Sequence, residues 1–253
     1  MTITSLPTNP GPLHLLLDPV IRTDLDRIDI RSHQSVLEIG ASPGEITAGL
    51  AQLVGCFGSI TAVDHDTSRL TSTSVIDVQQ RDLDRDLLPG TTDSYDHIVA
   101  RWPHGPLRDP VDVLEQMIAR LRPDGWLLLA DITATPPRIY RTPADEDTSL
   151  IDRMLHQIHR ALTGHHGTPT WTSDIETLLV DHGMVQHCVH TTTETWTGNG
   201  PGCRLLADIA AHRQPTLTGV TSADIDRFTA LMTDPRVVLA SYERRVIHAR
   251  TGI

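Results

Sequence analysis

The stretch VLEIGASPGEITAGL, Val36 to Leu50, passes from a short apolar run through a turn of small residues into a helical pattern. A turn at the carboxyl end of a strand, opening a helix, is where open α/β sheets let backbone approach a nucleotide-like ligand. Dinucleotide sites space their glycines as GxGxxG, whereas the order here is Gly40, Ala41, Ser42, Pro43, Gly44, Glu45. Ser42 stands at the second glycine and Glu45 at the third, and a carboxylate at that helix start repels a pyrophosphate. Glu38, just before the turn, suits a cationic or ammonium-bearing ligand instead. A nicotinamide oxidoreductase is therefore disfavoured at the motif that first suggests it.

Composition narrows the field further. The 253 residues can bury a sizeable core, as one α/β domain or one domain with a subdomain. The longest apolar runs, such as Trp126 to Ala130, are too short to span a bilayer. No basic segment precedes an apolar one at the N-terminus, so no secretory signal is read and a cytoplasmic protein is expected. A net charge of -11 argues against nucleic-acid and anionic-membrane partners and favours a small molecule, cationic ones included. Apart from histidine, every cationic side chain is arginine. The absence of lysine removes Schiff-base chemistry, a phosphate-loop lysine and the Tyr-x-x-x-Lys pair of short-chain dehydrogenases. Cys56, Cys188 and Cys203 are isolated, so buried thiols are expected rather than a zinc site or disulfides.

Along the chain, Leu13 onward has helical apolar spacing and predicts a capping helix. Strands are predicted at Ser35 to Ile39, at the segment ending in Asp64, at the segment ending near Asp82, at Tyr95 to Arg101 and at Trp126 to Ile132. Helices are predicted from about Gly44 to Val54, and through Asp109 to Arg122 with Pro-Asp-Gly as the stop. Residues 133–170 read as an insertion of a loop plus one helix, without a strand, covering the ligand edge. A helix capped by Ser173 and Asp174 with Gly183 after its end, a strand from Val185 to Trp196, two helices within 198–234 and a closing strand from Val237 complete the pattern. The expected organisation is an arm and capping helix over 1–30, then one domain over 31–253. Alternating strands and helices imply a largely parallel sheet covered on both faces.

Three acids follow three strands. Glu38 precedes the turn, Asp64 is placed to accept both hydroxyls of a ribose, and Asp82 to accept from an adenine amine with Leu83 beside the ring. That set fits S-adenosylmethionine. With VLEIGASPG, ITAVDHD, QQRDLD, YDHIVAR and LEQMIARLRPDGWLLLADI in order, the chain resembles the class I SAM-dependent methyltransferases, most closely their small-molecule branch in bacterial secondary metabolism. The resemblance implies a Rossmann-like fold with a seven-stranded sheet whose last strand is antiparallel, and a family often dimeric. It implies that Glu38, Gly40, Ala41, Ser42 and Gly44 line the methionine part, with Asp64 and His65 at the ribose and Asp82 and Leu83 at the adenine. Ala100 and Arg101 would follow strand four beside the sulfonium.

After strand four the family continues with an apolar run ending in His-Leu-Pro-Asp. Here the sequence is Trp102, Pro103, His104, Gly105, Pro106. The change falls at the reaction centre and motivates a second reading, a non-methylating member that guides a cyclisation or rearrangement. For an acceptor that must lose a proton, His104 is the candidate base, with Arg101 beside it. Trp102, Tyr140, His156, Trp171 and Trp196 are candidate acceptor contacts, with core packing as the competing role. His156 and His159, three apart, lack cysteine or acidic partners at ligand spacing, and no metal is expected.

Overall fold

The computed structural model describes residues 13–101, 107, 109–133, 135–163, 169–213 and 217–252. Its first half runs α1 (Leu13–Leu25), β1 (Ser35–Ile39), α2 (Glu45–Val54), β2 (Ser59–Asp64), β3 (Ile76–Gln80), β4 (Tyr95–Arg101), α3 (Pro110–Arg120) and β5 (Leu121–Ile132). The second half runs β6 (Ile139–Arg141), α4 (Asp145–Thr163), α5 (Pro169–Asp181), β7 (Met184–Thr192), β8 (Thr195–Thr197), α6 (Pro201–Arg213), α7 (Ser222–Met232), β9 (Val238–Ala240) and β10 (Arg244–Thr251).

Seven strands form one sheet in the order β3-β2-β1-β4-β5-β10-β7. β10 is antiparallel to both neighbours and the other pairs are parallel. This is the expected sheet, antiparallel last strand included. Strand pleating sends alternate residues to opposite faces, and each face has its own core. Val36, Val99, Leu128 and Val246 pack with α1, α2, α4, α6 and α7, while Leu37, Ile98, Leu127 and Ile247 pack with α3 and α5. Thus α1 shares a core with the sheet and is integral to the domain.

Several local expectations are corrected. The insertion contains a strand, β6, which pairs with β9, and β9 pairs with β8, in a second three-stranded antiparallel sheet. The single strand expected from Val185 to Trp196 is therefore two, as is the closing strand. Both breaks meet at one point: Ser241 N–H donates to the Glu194 carbonyl at 2.7 Å, and Glu194 N–H donates to Ser241 Oγ at 2.9 Å. The helix expected to start at Ser173 begins at Pro169, a residue whose fixed φ and missing N–H suit a first turn. α3 stops at Arg120 because Leu121 already pairs with Tyr95, and Asp124, at φ +68, makes an irregularity within β5. No helix separates β2 from β3. Finally, Cys56 and Cys188 are exposed and only Cys203 is buried.

Candidate cofactor and acceptor site

Strand order reverses between β1 and β4, so the crevice beyond their carboxyl ends is where such a sheet takes a ligand. The glycine turn lies there. Gly40 has φ +73, and a Cβ on it would stand 2.9 Å from the Arg101 carbonyl oxygen. Glycine is needed both for that conformation and for the close pass over β4. Gly44, at φ 98, turns the chain into α2.

Asp64 fixes this turn from β2. Its Oδ2 accepts from Ser42 N–H at 2.9 Å and its Oδ1 from Asp66 N–H at 3.0 Å, while Gly40 and Ala41 N–H both donate to the Val63 carbonyl. Burial raises the Asp64 carboxyl, and those N–H donors pull it back. Each oxygen keeps a second lone-pair direction for a ligand.

Arg101 is the central cation. Its Nη1 donates to the Ser42 carbonyl at 2.8 Å and lies 3.2 Å from Asp18 Oδ1, and its Nη2 is 3.5 Å from Glu38 Oε1. All three charged groups are buried. Burial drives the Glu38 carboxyl up to about 7 against the attraction of Arg101. Thr47's hydroxyl favours the charged form, yet no well-formed hydrogen bond reaches Oε2. A guanidinium has no proton to give near neutrality, so its contacts make Arg101 a positioning cation for the turn.

The other sequence candidates are dispersed. His65 is exposed, and its carbonyl accepts from Gln80 Nε2. Asp82 accepts from Asp84 N–H, donates its own N–H to Asp86 and pairs with Arg85, so it organises a turn, while Leu83 packs onto the core under α3. The Ala100 side chain faces that same core, away from Arg101. Trp196 is corrected to a core residue: its ring meets Tyr242 edge-on, its N–H donates to Glu194 at 2.8 Å, and Gly202 lies flat against it. Tyr140 is 61% exposed on β6. His156 borders a cleft of about 740 Å³ between the link after β5 and α4, with Thr135, Pro137, Arg138 and Asp152. Trp102 and His104 lie outside the described residues, and of Trp171 only its place on α5 is described. Sequence reading missed Asp18, an acid on the buried stripe of α1 with Leu17 and Ile21. Among the described residues, no three His, Cys, Asp or Glu side chains are grouped to hold a metal ion, and no helix is long and apolar enough to cross a membrane.

A family model described as a methyltransferase domain matches residues 16–189. The chain belongs to that family, the class I SAM-dependent methyltransferases. Among solved structures, BH2331 of Bacillus halodurans superposes with TM-score 0.61 at 14% identity, covering 92% of this chain and 99% of that one. Phosphoethanolamine N-methyltransferase 2 of Haemonchus contortus, with phosphomonomethylethanolamine and S-adenosylhomocysteine, gives 0.54 at 12%, over 93% and 53%. The [4+2]-cyclase SpnF gives 0.53 at 12%, over 93% and 82%. No curated protein sequence matches the chain.

Proposed function

We propose that the protein transfers the methyl group of S-adenosylmethionine to a small-molecule acceptor, a natural-product intermediate. The observation that carries this reading is Glu38: a carboxylate buried at the end of β1, under a left-handed glycine turn, with Oε2 unpartnered. Such a group fits the ammonium-bearing end of this cofactor. Asp64 has lone pairs left for ribose hydroxyls, and Asp82 with Leu83 stands further along the same edge.

The bound cofactor supplies a methyl group already activated on a sulfonium. The chain's part is alignment, exclusion of water and, for some acceptors, removal of a proton. The cleft beside α4 has the volume usual for small-molecule sites. His156 on its rim sets its Nδ1 2.8 Å from the Asp152 carbonyl, which makes Nδ1 the donor and leaves Nε2 as the basic nitrogen.

Calorimetric titration with S-adenosylmethionine and S-adenosylhomocysteine tests the cofactor part, and mass spectrometry of candidate acceptors tests transfer. Binding of neither ligand would overturn the reading. Asp64→Ala is expected to cost about 1–3 kcal/mol in urea unfolding, because the Ser42 and Asp66 N–H groups lose their acceptor. The same variant should bind both ligands more weakly. Unchanged affinity would remove Asp64 from the site.

A further inference from the structure

Arg101 stands between two carboxylates that it does not satisfy. Asp18, on the face of α1 turned to the sheet, is 5% exposed, and its Oδ2 has no hydrogen-bond partner. Glu38, on β1, is 1% exposed, and its Oε2 is in the same condition. The short contact of the guanidinium is with the Ser42 carbonyl, and the Ser42 hydroxyl is itself buried without a partner. Buried polar oxygens are costly to leave unmade, and native interiors leave few of them. Here they come from a helix, a strand and the turn between strand and helix, on three residues that each contact Arg101 through another atom.

The charge is as uneven as the hydrogen bonding, with two carboxylates and one guanidinium. Burial raises both carboxyls despite Arg101; His14 and Arg22 also attract Asp18 and Glu45 repels it, while Asp18 and Glu38 repel each other. A ligand group that is positive and rich in N–H would correct both deficits. A sulfonium carries charge but no N–H, so it could not satisfy the oxygens. An ammonium carries both.

We propose that Asp18 is a cofactor-site residue, and that Asp18 and Glu38 together receive the ammonium group at the amino-acid end of the cofactor, on either side of Arg101. This rests on the cofactor reading above. It makes α1 part of the binding machinery as well as part of the core.

The test compares S-adenosylhomocysteine, its analogue lacking the amino group, and 5′-methylthioadenosine, which lacks the whole amino-acid end. Each is titrated calorimetrically into the wild type and into Asp18→Asn. The wild type should prefer S-adenosylhomocysteine to the analogue. Asp18→Asn should weaken S-adenosylhomocysteine roughly ten- to a hundredfold, as for a lost hydrogen bond to a charged group, and leave methylthioadenosine unchanged. Equal weakening of both, or of neither, would overturn the assignment, because a residue that only anchors α1 does not sense the amino group. If Asp18→Asn does not fold, Asp18→Ser is titrated in its place. A loss confined to S-adenosylhomocysteine supports the assignment, while a loss shared with methylthioadenosine, or equal wild-type affinity for S-adenosylhomocysteine and its analogue, overturns it. Binding of none of the three by the wild type would overturn the cofactor reading along with it.

Discussion

Replacing Arg101 by methionine is expected to destabilise the folded protein by about 3–5 kcal/mol at neutral pH. Methionine matches much of the volume but leaves Asp18 and Glu38 as two buried acids without their cation. The turn loses the donor to the Ser42 carbonyl as well. The cost should depend on pH, since protonated carboxyls need no counter-charge. Urea unfolding at pH 5 and pH 8 measures this, and the deficit should be larger at pH 8. A deficit under about 1 kcal/mol at both would mean that Arg101 does not neutralise this cluster.

Glu38→Gln should move stability and affinity in opposite directions. In the folded protein the Glu38 carboxyl titrates at about 7, above its ordinary 4.5, because burial penalises the charge. The native state therefore holds this proton through a window where the unfolded chain has released it. The stabilisation is fully present below about 4.5 and is lost as pH rises through about 7. Glutamine removes the titration, so the free variant's stability should fall less across that window. On the proposed assignment cofactor binding runs the other way, because the ionised acid is the form that would receive an ammonium. Wild-type affinity for S-adenosylmethionine should rise as pH climbs through about 7. At pH 8 Glu38→Gln should bind roughly ten- to a hundredfold more weakly, without that rise. Titrations in two buffers of different ionisation enthalpy would detect the proton released on binding. A flat wild-type affinity between pH 6 and pH 8.5 would sink this account.

The first strand, the glycine turn and α2 were legible because each signal is local: an apolar run, a residue type that tolerates positive φ, and a helical period. The second sheet was not. Its strands, Ile139–Arg141, Thr195–Thr197 and Val238–Ala240, are three residues each, too short to display an alternation, and they exist only by pairing. Glu38 and Asp64 were read from their places after strands, and Asp64's hold on the turn needed coordinates. Asp18 had a faint signal that went unused. It lies on the stripe of Leu17, Ile21 and Leu25, all buried, so an acid interrupts an apolar face. Its partner, Arg101, closes the apolar run of β4, and nothing in either segment says that the two meet.

The second sheet also sets a timetable. β6 borders the cleft beside α4 through Ile139, and its partner β9 is made only after α4, α5, β7, β8, α6 and α7. β10, which fills the gap between β5 and β7, is made later still. A nascent chain already has the glycine turn, Arg101 and α1 in hand while β5 and β6 are both unpaired on the side that β10 and β9 will occupy. Contacts between segments so far apart in the chain form slowly. During synthesis the glycine turn can form early, whereas the seating of α1 and the wall beside α4 both wait for the C-terminal strands.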